Sequence, residues 1–190
     1  VRLRRQREHD DADGGRGDPG SLRDAFYARH GAFVRLETAS PHGQLRGSGA
    51  AYDSPTAIEN GSRRLGHAIV DAAIEAASED SRSVVTTPEL DGLAVTVFVA
   101  TDLVETTNPA DDVQVGTHGV AIEGRGTAGW MFPTVAVDNG WGVYEYLDRT
   151  ARKAGLPADA WMDDDVRVVT LDGNVFAENE PGGSVRRRLD

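Results

Sequence analysis

Seven consecutive residues, Leu93-Ala94-Val95-Thr96-Val97-Phe98-Val99, carry no charge and no turn former. β-Branched and aromatic side chains at this density favour a pleated backbone, and an apolar run without alternation fits a strand buried on both faces. Such a strand must lie inside a sheet, so the chain has to supply neighbours on both sides of it. Shorter runs meet that need. Ala32-Phe33-Val34-Arg35-Leu36-Glu37 reads as a strand, Ser40-Pro41-His42-Gly43 as a turn, and Gln44-Leu45-Arg46-Gly47 resumes extended structure, giving a hairpin. Val113-Gln114-Val115 and Val120-Ala121-Ile122 are expected to pair around Gly116-Thr117-His118-Gly119. Val166–Leu171 and Asn174–Ala177 are expected to pair across Asp172-Gly173.

Helices are fewer. Ser21-Leu22-Arg23-Asp24 resembles a capping box opening a short helix to Arg29, and Ser54-Pro55 is a cap with proline at the first helical position. The main helix is expected over Ser62–Glu79, with Leu65, Ile69, Ala72 and Ala76 on one stripe, and its many alanines let it lie close to a sheet. A second spans Val143–Ala154, ended by Gly155. Thr106–Asp112 reads as a polar loop, Gly124–Gly129 as a flexible link and Asp138–Gly142 as a turn. Mostly hairpin-paired strands with few helices make an α+β fold, not a doubly wound sheet. Residues 1–20 form a disordered charged lead, 21–180 a single domain, and 181–190, with Arg186-Arg187-Arg188, a frayed tail.

Composition narrows the function classes. Of 190 residues 39% are hydrophobic, enough for one real core. There is no cysteine, which removes disulfides, thiol catalysis, Cys-ligated zinc and iron–sulfur clusters. No membrane-length apolar run and no signal-like N-terminus is present, so a soluble cytoplasmic protein is expected, with no membrane partner. Net charge is −11, from 20 Asp and 11 Glu against 19 Arg and the lone Lys153. Such a surface stays hydrated when salt screens charge, and it reads as adaptation of a haloarchaeal type to a salt-rich cytoplasm. It argues against strong nonspecific nucleic-acid binding without removing a local basic groove.

Several motifs occur in an order that resembles the AMMECR domain family. They are Leu45-Arg46-Gly47, the Ser62–Glu79 helix, Asp80-Ser81-Arg82, the Leu93–Val99 strand and Val115-Gly116-Thr117-His118-Gly119. Gly129-Trp130-Met131-Phe132-Pro133-Thr134-Val135, Gly140-Trp141 and Lys153-Ala154-Gly155-Leu156 follow. The resemblance covers roughly Ser21 to Glu180. It implies an α+β fold of two unequal subdomains with antiparallel-rich sheets flanked by helices, and the Leu-Arg-Gly motif at a cleft between them. It also implies a family of unsettled biochemical activity, linked in prokaryotes to Memo-like and radical-SAM proteins, the AmmeMemoRadiSam system. The family hallmark Leu-Arg-Gly-Cys-Ile-Gly is altered here to Leu45-Arg46-Gly47-Ser48-Gly49-Ala50, so a thiol reaction cannot run at this position.

The candidate cleft residues are therefore Arg46, Gly47, Ser48, His118 and Lys153. Arg46 beside a glycine suits bidentate anion recognition, or else a structural salt bridge to Glu59, Asp80 or another carboxylate. Ser48 caps or bonds backbone, or attacks only with a general base. His118, set between glycines in a turn and matching a family motif, is either a proton-transfer or ligand contact or a hydrogen-bonded turn histidine. Trp130, Trp141 and Trp161 line a cleft or pack a core. Asp163-Asp164-Asp165 lacks calcium-loop spacing and reads as a solvated acidic turn. No His-x-x-x-His or Glu-x-x-His pairing is present, so no metal and no cofactor are expected, and no catalytic set is identified. Two function classes follow. One is a binding or adaptor module presenting an Arg46-centred cleft to an anionic small molecule or a Memo-like partner. The other is an enzyme, or its substrate-handling subunit, in radical-SAM-linked RNA or nucleotide modification.

Overall fold

The structure, a computed structural model, describes residues 30–39, 43–53, 64–80 and 84–188. The expected lead at 1–20, the Ser21–Arg29 helix, the Ser54-Pro55 cap and the Ser40–His42 turn lie outside those residues. Strands β1 (Gly31–Thr38) and β2 (Leu45–Ala51) come first, then helix α1 (Leu65–Ser78), the short α2 (Thr87–Leu90) and the long β3 (Leu93–Thr106). Next come α3 (Pro109–Asp112), β4 (Gly119–Gly124), β5 (Thr127–Met131), α4 (Pro133–Asn139) and α5 (Val143–Lys153). A 3₁₀ turn (Ala158–Met162), β6 (Val166–Glu178) and β7 (Val185–Arg187) complete the order. No helix among the described residues is long and apolar enough to cross a membrane.

All seven strands join one antiparallel sheet in the order β2-β1-β3-β6-β4-β5, with β7 added to β6 beyond the end of β4. The apolar run is central, as its composition requires: β1 lies on one side of β3 and β6 on the other. The fold is α+β. Five local expectations are corrected. Val166 to Glu178 is one continuous strand, not a hairpin about Asp172-Gly173. Val113–Val115 is not a strand; β4 pairs with β5 instead, through a tight turn at Arg125 (φ 53°) and Gly126 (φ 78°), which replaces the expected flexible link. Pro133–Asn139 is helical up to a left-handed Gly140 (φ 67°). The tail is not frayed at Val185–Arg187, which pairs with Phe176–Glu178.

The sheet is strongly curled. β1 and β5 have three strands between them and would lie about 19 Å apart in a flat sheet. Yet the rings of Phe33 on β1 and Trp130 on β5 have centroids 4.8 Å apart. Phe98, Phe132 and Tyr52 join them to fill the inner face. The outer face is covered twice. Helix α1 buries Ala68, Ala72 and Ala76 against Ala32, Val34 and Leu36, while α5 and the 3₁₀ turn pack Tyr146, Leu147 and Trp161 on Val120, Ile122 and Val168.

Helix α1 sits unusually close to β2. A Cβ on Gly49 would lie 2.2 Å from the Ala72 carbonyl oxygen and 2.5 Å from the Ala76 nitrogen, and one on Gly47 would lie 2.0 Å from the Ala76 oxygen. These partners are helix backbone and cannot swing aside. Gly49→Ala is therefore expected to cost about 1–3 kcal/mol or more in urea unfolding. Gly92→Ala, where the nearest atom stands at 3.4 Å, is expected to change stability by less than about 0.5 kcal/mol.

Candidate functional site

The signature stretch is the edge strand β2, and its residues divide by side. Gly47 and Gly49 pair with Leu36 and Val34 on the outer face beneath α1, so their missing side chains admit the helix rather than a ligand. The Ser48 N–H and hydroxyl both donate to Asp80 Oδ2, at 3.0 and 3.2 Å, and the Ala50 N–H donates to Glu75 Oε2 at 3.1 Å. Carboxylates at and beyond the end of α1 thus take the place of a neighbouring strand. Ser48 acts here as a hydrogen-bond donor.

Arg46 is committed as well. Its Nε donates to Glu89 Oε1 at 2.8 Å, one Nη to Glu89 Oε2 at 3.2 Å and to the Val84 carbonyl at 3.0 Å. Glu89 also accepts from the Thr86 N–H and hydroxyl in the capping box of α2. The Arg46 guanidinium, followed by the Thr86 contacts, pulls the Glu89 carboxyl down to about 2. The same bond holds the Arg46 pKa above its ordinary value. The salt-bridge alternative describes Arg46, with Glu89 as a partner and the Asp80 charge acting on it as well; Glu59 lies outside the described residues.

His118 and Lys153 do not join it. The row containing Gly47 crosses β3 at Val95, whereas the row containing Gly119 crosses it at Leu103. Eight residues of strand separate the two, about 25 Å. His118 accepts the Gln114 N–H on Nδ1 at 3.2 Å, leaving Nε2 as the N–H nitrogen, 3.5 Å from Asp172 Oδ1. One ring nitrogen thus serves the turn and the other faces strand β6. Lys153 holds its ammonium 3.9 Å above the Trp130 ring, a cation–π contact at the aromatic cluster. Trp130 and Trp161 are core residues. In the acidic turn, Asp163 and Asp165 both accept from Arg125, which projects from the β4–β5 turn. No group of three or more metal-ligating side chains occurs among the described residues.

What the sequence reading missed lies on the inner face. Strand alternation puts Arg35 and Glu37 on the same side as the fully buried Phe33, and their side chains are only 17% and 21% exposed. Arg35 donates to Glu37 at 2.6 Å and lies over the Phe132 ring. In register, Arg35 stands beside Ser48 on one flank and Thr96 on the other, and the row continues through Ala177 to Arg186 on β7. Arg35 and Arg186 of this row line a groove of about 1080 Å³, together with Glu37 and, from α4, Val135, Asp138 and Asn139. Arg188, two residues beyond Arg186, also lines it and reaches Asp138 at 3.8 Å. Three arginines, one from β1, one from β7 and one just past its end, thus line one groove of a chain with net charge −11. The legible signal was a charged pair on the face of β1 that also carries a phenylalanine.

Comparison with known proteins agrees with this architecture. A family model described as AMMECR1 matches residues 4–176. A protein of Halobacterium salinarum is 53% identical over 166 residues, covering 87% of this chain and 79% of the relative. One from Methanothermobacter thermautotrophicus is 36% identical over 167 residues, covering 85% of this chain and 82% of the relative. The crystal structure of the uncharacterized protein PH0010 from Pyrococcus horikoshii superposes with a TM-score of 0.74 at 30% identity, covering 94% of this chain and 88% of that one.

The Arg46–Glu89 pair predicts a pH dependence. Glu89 titrates lower in the folded chain than its ordinary 4.5. The stability it contributes is complete above that value and is lost as pH falls towards 2. Urea midpoints measured from neutrality into acid should fall for the wild type. In Glu89→Gln the neutral-pH midpoint should already be lower and this part of the acid slope absent.

Proposed function

Because the chain belongs to the AMMECR1 family, and because its inner face holds a cavity flanked by three arginines, we propose that it is a binding module for an anionic ligand. The groove beneath α4 is the site. This moves anion recognition from Arg46, the centre expected from the sequence, to Arg35, Arg186 and Arg188. The observation that carries the reading is Arg35. A guanidinium shielded on the inner face, stacked on Phe132 and held by Glu37, is fixed in position before any ligand arrives. The signature stretch supports the site from behind, since Ser48 is the cross-strand neighbour of Arg35. Ser48 donates to Asp80, His118 lies between Gln114 and Asp172, and the two stand far apart in the register, so no observation favours the enzyme reading over the binding one.

We read the acid excess as adaptation to high salt, so the test belongs in potassium chloride solution. Calorimetric titration with inorganic phosphate, pyrophosphate and citrate should give saturable binding of at least one anion. The triple variant Arg35→Gln/Arg186→Gln/Arg188→Gln should weaken it about tenfold or more. Arg46→Lys should lower the melting temperature and leave binding unchanged, because a lysine cannot reproduce the two-pronged contact with Glu89. Absence of saturable binding by every anion, or full binding in the triple variant, would sink the proposal.

A further inference from the structure

Resting on the anion-binding groove, the geometry points to a narrower ligand class: we infer that Arg186 and Arg188 form a phosphate fork, and that the ligand is a phosphomonoester with a hydroxyl-rich body, of the sugar-phosphate type. Strand β7 is the source of the fork. Alternate residues of extended chain project to one face, about 6.7 Å apart, and Arg186 in β7 and Arg188, one residue past its end, both line the groove, with Arg187 between them on the other side. The backbone holds them there. Arg186 pairs with Ala177, and the Arg188 N–H donates to the Val175 carbonyl at 2.9 Å.

The charges of these two side chains are available. Arg186 has no ion-pair partner among the described residues. Arg188 has only a loose contact with Asp138 at 3.8 Å, against 2.6 Å for the pair that fixes Arg35 to Glu37. Two forked donors at alternate positions lining one groove suit an acceptor with three oxygens and up to two negative charges. A carboxylate, with two oxygens, is satisfied by one fork.

The rest of the groove is rich in acceptors. Glu180 lines it with no ion-pair partner among the described residues. The amides of Asn139 and Asn179 donate to the Val135 carbonyl and the Ser184 hydroxyl, which leaves their oxygens to accept. Glu37 and Asp138 add two carboxylates, each facing an arginine. Acceptors in this number repel a compact polyanion and match a body bearing O–H donors. The ligand is therefore anionic at the β7 end and hydroxylated beyond it.

The test compares ribose 5-phosphate with ribose, with inorganic phosphate and with citrate, by calorimetry in potassium chloride on the full chain. Ribose 5-phosphate should bind about tenfold or more tightly than each of the other three. Arg186→Gln/Arg188→Gln should reduce its affinity to that of ribose. Arg187→Gln, on the same exposed strand but the opposite face, should leave it unchanged and controls for loss of the strand itself. Citrate binding as tightly as the phosphoester, or phosphoester binding kept in the double variant and lost in Arg35→Gln, overturns the fork while the anion groove stands. Failure of every anion to bind overturns both.

Discussion

The contact between Phe33 and Trp130 sets the geometry on which the rest of the molecule depends. Two rings that belong to strands four places apart can meet only if the ladder rolls over on itself. A second closure nearby has the same effect: the Tyr52 hydroxyl, just past β2, donates to Glu123 on β4 at 2.8 Å, and Arg167 holds the other carboxylate oxygen at 2.7 Å. Burial, with the adjacent Glu123 charge, pushes the Tyr52 phenol far above its ordinary range, so it remains a donor. The rolled sheet has one aromatic plug, and the rows beyond it are left unfilled. Those rows hold Arg35 and Glu37. A flat sheet would have turned both out to water, where an exposed ion pair contributes little.

The signature stretch then has a role different from the one its composition suggests. Glycine beside a cation looks like room for a ligand. In the fold, the room is taken by the backbone of α1, and the cation is tied to a helix cap. Ser48 is bonded to Asp80 through both its backbone and its side chain. A hydroxyl is a better donor to carboxylate than a thiol, so serine suits a position that bonds an anion of the protein itself.

Much of the fold was legible because its strongest elements obey local rules. The apolar run had to be central, the alanine stripe had to lie close to a sheet, and Gly155 had to end α5. Two of the misreadings share a cause, namely glycines with more than one use. Asp172-Gly173 has the composition of a hairpin turn, yet Gly173 lies opposite the bulge of β3, where a Cβ would stand 2.0 Å from the Val99 carbonyl oxygen. Glycine there permits approach between strands, not reversal of the chain. Gly124–Gly129 looked like a link because it is rich in glycine, yet Arg125 holds a positive φ in a tight turn. Its side chain is bonded to Asp163 and Asp165, which helps hold that conformation. The groove was hidden for a different reason: its arginines come from residues 35, 186 and 188, and only the curl of the sheet and the docking of β7 bring them to one place.

The carboxylates of Glu75 and Asp80 along β2 have one more consequence. An outermost strand with unsatisfied N–H groups is a template on which another chain can add itself. Highly charged proteins usually keep copies apart by long-range repulsion, but salt at high concentration shortens that repulsion to a few ångströms. Direct hydrogen bonds of 3.0 and 3.1 Å are far less screened. The β2 seam is thus sealed by groups on the chain's own helical segment, and its resistance to aggregation does not depend on net charge.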